Sequence, residues 1–99
     1  MALRFAPEAV NELHGIWDYI AEESGSTKIA DKVVDSILRS IFLLTTHPNM
    51  GRRRDEDLRP GLRSFPTGEY VILYRIEAKK AIVLHVAHGR RDMEKLFGQ

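Results

Sequence analysis

A chain of 99 residues, 43% hydrophobic and 29% charged, fits one globular domain spanning residues 1–99 and excludes a second. Cysteine is absent, which excludes a disulfide framework and a thiolate metal site and suits a reducing compartment. The net charge of +1 hides an asymmetry: residues 1–46 hold four basic and seven acidic side chains (net −3), residues 47–99 eleven basic and seven acidic (net +4). The second half is therefore expected to offer an anion-friendly surface and the first an acidic one, although an ordinary solvated mixture of charges gives the same totals. The start of the chain lacks the pattern of a signal peptide, and no run approaches the ~18 apolar residues of a membrane span, so a soluble, cytoplasmic protein is expected.

Residues 3–5 form a short apolar run that predicts a strand added to a sheet formed later in the chain, since a lone strand leaves its backbone unpaired. Pro7 and Glu8 suit the first turn of a helix. Ala9, Val10, Leu13, Ile16, Trp17 and Ile20 follow at helical spacing and form one apolar stripe, ending near Ser24-Gly25. Gly15 inside this helix costs about 1 kcal/mol against alanine, which predicts a close packing contact there. Ser26 or Thr27 caps a second helix with the stripe Ala30, Val33, Val34, Ile37, Ile41 and Leu44, stopping before Pro48. With so short a connection the two helices form an antiparallel hairpin on one face of the sheet, and Trp17 packs within it.

Residues 47–61 are polar and rich in breakers, with Arg52-Arg53-Arg54 running directly into Asp55-Glu56-Asp57. A loop of this length in a small domain is a candidate for function, and its opposite charges are also placed to neutralise one another. Residues 62–92 then read as a three-stranded meander: a short run carrying Arg63 and Phe65, ended by Pro66-Thr67-Gly68, and two strands over 70–76 and 81–87 joined by Glu77-Ala78-Lys79-Lys80. After His88-Gly89-Arg90-Arg91, Asp92 is placed to cap a short C-terminal helix carrying Met93, Leu96 and Phe97. The expected fold is α+β.

Several chemistries lack their residues. Gly61 and Gly68 are followed by no Lys-Ser/Thr pair, so no phosphate loop is present. His85 and His88, three apart on a strand, point to opposite faces and form no joint metal site. Ser36 and Ser40 have no histidine near them in sequence to serve as a base. Neither a metal nor a cofactor is expected. What remains is an arginine set, Arg63, Arg75, Arg90 and Arg91, whose guanidinium forks suit phosphate or carboxylate on RNA, DNA or an acidic protein. Pairing of Arg75 with Glu77 or Glu69, tuning solubility alone, is the alternative.

The order strand, helical hairpin, basic loop and meander carries Pro7-x-Ala9, Ala30, Pro48-x-x-Gly51-x-x-Arg54, Leu62-Arg63-Ser64-Phe65-Pro66-x-Gly68-x-Tyr70-Val71-Ile72-Leu73-Tyr74-Arg75 and His88-Gly89-Arg90-Arg91-Asp92. In this combination the chain resembles the RelE/ParE superfamily of bacterial toxins, and its ParE branch most. The ParE resemblance implies a toxin that inhibits DNA gyrase without being an enzyme, a ParD-like cognate antitoxin, and contact with operator DNA mainly through that antitoxin. It also implicates the C-terminal segment in target binding, pointing to Arg90, Arg91 and Phe97 beside Arg75. The RelE branch implies a ribosome-dependent, metal-independent mRNA endoribonuclease, for which His88 would be the acid among Arg63, Arg75 and Arg90. No Tyr follows Tyr74, and a net charge of +1 is a poor match for ribosomal RNA, which favours the gyrase reading. A module that binds its antitoxin and poisons nothing is the remaining alternative.

Overall fold

The computed structural model describes residues 3–89. The expected C-terminal helix, with Arg90, Arg91 and Phe97, lies outside the described residues. Eight elements follow in order: β1 (Leu3–Phe5), α1 (Pro7–Ser24), α2 (Thr27–Thr46), a 3-10 turn (Pro48–Met50), β2 (Arg52–Arg53), β3 (Arg63–Thr67), β4 (Tyr70–Glu77) and β5 (Lys80–His88).

Both helices end where side-chain chemistry ends them. Gly25 closes α1 in the left-handed region (φ +69°), where a side chain would be strained, and its N–H donates to Ala21 O. Ser26 caps α2 by accepting the Ile29 N–H. Only Gly25 and Ser26 separate the helices, so α2 folds straight back along α1, and Trp17 Nε1 donates to Asp31 Oδ1 at 2.8 Å across the hairpin. Of the expected stripes, Ala9, Leu13, Ala30, Ile37, Ile41 and Leu44 are buried, while Val10 stands exposed. The packing contact expected at Gly15 does not exist: an added Cβ would meet nothing within 4 Å.

The sheet has five strands in the order β1-β5-β4-β3-β2. The sequence reading omitted β2, a two-residue strand inside the basic loop that pairs with β3 through Arg52↔Ser64 and Arg53↔Arg63. So short an element carries no apolar periodicity. β1 finds its partner in β5, in parallel, with Arg4 opposite Ile82. The turns are also tighter than expected. β3 continues through Pro66 and Thr67, and the β3–β4 link is Gly68-Glu69, with Gly68 at φ +63°. Pro66 is tolerated because β2 ends before reaching it, so the missing N–H faces no strand. The β4–β5 link is Ala78-Lys79 alone, with φ of +50° and +66°, the two left-handed residues of a type I′ hairpin turn.

The pairing of β4 with β5 shifts between Leu73 and Tyr74, leaving Leu84 as an extra residue on β5. This bulge lets Val83 and Val86, three apart, both join the helix-side core with Ala9, Leu13, Ile37, Ile41, Leu44, Ile72, Tyr74 and Ala81. By alternation, Val71, Leu73 and Arg75 of β4 face the opposite side of the sheet, where no helix of the described chain lies.

Candidate target-binding surface

Two arginine-bearing regions emerge from the meander, and they differ in how much of their hydrogen-bonding capacity the fold consumes. The first is built around Tyr74, a fully buried side chain on β4. Its hydroxyl donates to Pro48 O at 2.6 Å and accepts the Gly51 N–H at 2.9 Å, tying the 3-10 turn to the sheet. A Cβ at Gly51 would fall inside the Tyr74 ring, so only glycine fits. Arg63, opposite Tyr74 on β3, donates from Nη1 to Gly51 O at 2.8 Å and Asn49 O at 3.2 Å. Burial pushes the Tyr74 phenol above its ordinary pKa of 10.0, against the lowering effects of the Gly51 N–H and the Arg63 charge.

Residues 54–62 extend from this clasp as a loop that closes on itself. Arg54 N–H donates to Leu62 O, and the Leu58 and Arg59 N–H groups to Arg54 O. The charges pair locally, as their order in sequence suggested: Arg53 Nε with Asp55 at 2.7 Å, and the Arg54 fork with Asp57 while Nη1 reaches Ser64 Oγ. The Gly61 N–H, with Arg53 second, holds the Asp55 carboxyl below the usual carboxylate range; the Arg54 hydrogen bond does the same for Asp57.

The second region is a cleft of about 330 Å³ between this loop and the helix-free side of the sheet, lined by Ala6, Glu8, Arg59, Pro60, Gly61, Leu62, Arg75, Leu84 and His85. Arg75 pairs with Glu77 at 2.7 Å, as the solubility alternative anticipated, but the pair is half exposed, at 46% and 51%. Such a pair contributes about 0–1 kcal/mol and exchanges partners readily. Beside the cleft the Glu12 carboxylate reaches from α1, accepting the Val86 N–H at 2.8 Å and contacting His85 Nδ1 at 3.1 Å. Glu12 thereby serves a stretch of β5 that the short β1 does not cover.

The proposed ribonuclease set is spread out by this register. His88 lies opposite Tyr70, its ring edge-on to the Tyr70 ring at 5.7 Å and its Nε2 3.7 Å from Glu69. Arg75 is five residues further along β4, roughly 17 Å at about 3.4 Å per residue, and on the other face. Arg63 is at the clasp. Of the expected target-binding residues, Arg75 stands on an accessible surface, while Arg90, Arg91 and Phe97 are outside the described residues. Three residues of this region carried no functional expectation from sequence: Arg59 in the cleft, His85, weighed only as a metal ligand and set aside, and Arg4, which the parallel register sets in one row with Ile82 and Arg75. His85 carried a signal, since a lone histidine interrupting the apolar run 81–87 needs a polar partner. Among the described residues no group of three or more His, Asp or Glu is placed to hold a metal, and no helix is long and apolar enough to cross a membrane.

The family described as the ParE toxin of the type II toxin-antitoxin system, parDE, matches residues 3–93. Toxin ParE1 of Caulobacter vibrioides is 32% identical over 90 residues, covering 89% of this chain and 92% of its own length. Toxin ParE3 of the same organism is 31% identical over 77 residues, covering 78% and 76%, and Toxin RelE3 is 25% identical over 88 residues, covering 89% and 94%. Among solved structures, a chain of the chromosomal ParDE system of P. aeruginosa superposes with a TM-score of 0.77 at 23% identity, over 89% of this chain and 95% of that one. A chain of the RelBE2 toxin–antitoxin complex of Mycobacterium tuberculosis gives 0.61 at 23% identity, over 88% and 95%.

Proposed function

Because this chain belongs to the ParE toxin family of type II toxin–antitoxin systems, we propose that it arrests growth by inhibiting DNA gyrase and that a cognate, ParD-like antitoxin neutralises it. The observation that carries the reading is the match to that family over residues 3–93. The register supports it further. His88, Arg63 and Arg75 lie at separate places on the sheet, whereas general acid catalysis needs its groups within hydrogen-bond reach of one phosphate. Arg75, exposed and paired with Glu77 among the described residues, suits contact with a protein target. In this reading Arg90, Arg91 and Phe97 join Arg75 in target binding, and operator DNA is contacted mainly by the antitoxin.

The experiment is a supercoiling assay with purified gyrase, relaxed plasmid and the full chain. Inhibition, or accumulation of cleaved plasmid, that is relieved by the neighbouring antitoxin is the expected result. Unchanged supercoiling at saturating protein would overturn the proposal. Cleavage of ribosome-bound mRNA that His88→Ala abolishes would replace it with the ribonuclease reading, and unimpaired growth on induction without the antitoxin would leave a binding module only.

A further inference from the structure

We propose that the cleft between residues 59–62 and the β4–β5 pair binds a small phosphate ester of nucleoside monophosphate size, its phosphoryl group held by Arg59 and Arg75. This proposal stands on the cleft's geometry and is independent of the gyrase reading.

Three features of the cleft specify the ligand. Two guanidinium groups, from different segments of the chain, line one cavity together with the His85 imidazole, whose ring Glu12 orients through Nδ1. Of the remaining lining residues, Ala6, Pro60, Leu62 and Leu84 are apolar and suit the flat face of a base or sugar, and Glu8 places one acidic side chain beside them. At about 330 Å³ the space lies at the small end of ligand sites, which typically span roughly 300–1,000 Å³, and so has room for a single nucleotide unit.

Phosphate is favoured over carboxylate by the charges already present. Glu77 already pairs with the Arg75 guanidinium. An incoming carboxylate would exchange one monoanion for another at Arg75 with little gain. A phosphoryl group carries about −1.5 to −2 charge at neutral pH and three acceptor oxygens, enough to displace Glu77 and engage Arg59 at the same time. Arg4, in the row with Ile82 and Arg75, adds positive potential on the same face. The loop wall is preset: Asp55 accepts the Gly61 N–H at 2.7 Å, fixing the segment that carries Arg59.

The test titrates adenosine 5′-monophosphate, inorganic phosphate and adenosine separately into the isotopically labelled full chain, following backbone amides and the His85 ring by NMR. Saturable shifts at residues 59, 61, 62, 75, 84 and 85 with adenosine monophosphate are expected, with adenosine about tenfold weaker. Arg59→Ala and Arg75→Ala should each weaken binding by about tenfold, Arg59→Lys and Arg75→Lys by less, because lysine keeps the charge and loses the fork. Arg52→Ala, outside the cleft, should bind as the parent does. Shifts that fail to saturate at millimolar ligand, or that survive both arginine-to-alanine changes, would overturn the proposal. Tighter binding of a hexaglutamate peptide than of adenosine monophosphate at the same residues would overturn it in favour of a protein partner.

Discussion

Arg63 and Arg75 sit on adjacent strands, yet the fold treats them in opposite ways. Arg63 spends its donors on the carbonyls of Asn49 and Gly51, inside a clasp completed by the buried Tyr74 hydroxyl. Among the described residues Arg75 meets a half-exposed carboxylate, two residues along its own strand, beside an open cleft. An arginine that ties two carbonyls of a neighbouring turn to its strand holds structure, because removing it releases that turn; one paired at the surface with a side chain is available for a ligand. The same residue type thus divides into scaffold and surface according to which side of β4 and which neighbouring strand it faces.

The largest effect that would break this contrast is at Gly51. Gly51→Ala forces a methyl into the Tyr74 ring, and we expect a loss of roughly 2–4 kcal/mol in urea denaturation. A loss below 0.5 kcal/mol would mean that the clasp yields freely. Tyr74→Phe removes one donor–acceptor hydroxyl from between two backbone groups and should cost about 1–3 kcal/mol. It also alters the pH profile. The phenol's pKa is raised on folding, so its contribution is complete below the unfolded value near 10.0 and is lost as pH rises through the folded value. Alkaline denaturation of the Phe variant should therefore lack that component, as read from paired melts above and below pH 10.

Gly15→Ala should raise stability by up to about 1 kcal/mol, since open space surrounds the position and the glycine only weakens α1. Arg75→Ala should change stability by less than about 0.5 kcal/mol while reducing gyrase inhibition about tenfold, a separation of binding from folding that Arg63→Ala should not show. The smallest effect concerns acid. Asp55 and Asp57 have depressed carboxyl pKa values, so the loop they fix is fully held above the unfolded value near 3.8 and released as pH falls through the lower folded values. Protection of the Gly61 amide relative to its intrinsic exchange rate should fall there, before the clasp opens, and Asp55→Asn, which has no carboxyl to titrate, should remove the Asp55 part of that pH dependence.

Much of the framework was legible in the residues themselves. The helical stripes, the Ser26 cap, the Gly25 stop and the two long strands all rest on local periodicity and turn chemistry, which neighbouring residues encode. β2 was not legible, because two arginines carry no pattern and pair only where β3 offers an edge. The bulge at Leu84 was hidden in a continuous apolar run, where no alternation marks the extra residue. For the candidate site, Arg75 was named as a target-binding residue and stands on the surface, but Arg59 and His85 were not associated with it. Their proximity depends on a loop returning across the sheet, and sequence spacing says nothing about that.

The sequence by itself determined the α+β class, the helical hairpin and the ParE-like identity, since these follow from hydrophobic period, caps and motif order. Only the tertiary structure decided which arginines are scaffold and which are surface. Strand register and the bulge assign each side chain to a face, and whether a guanidinium finds backbone carbonyls or open solvent depends on what the rest of the chain has placed there.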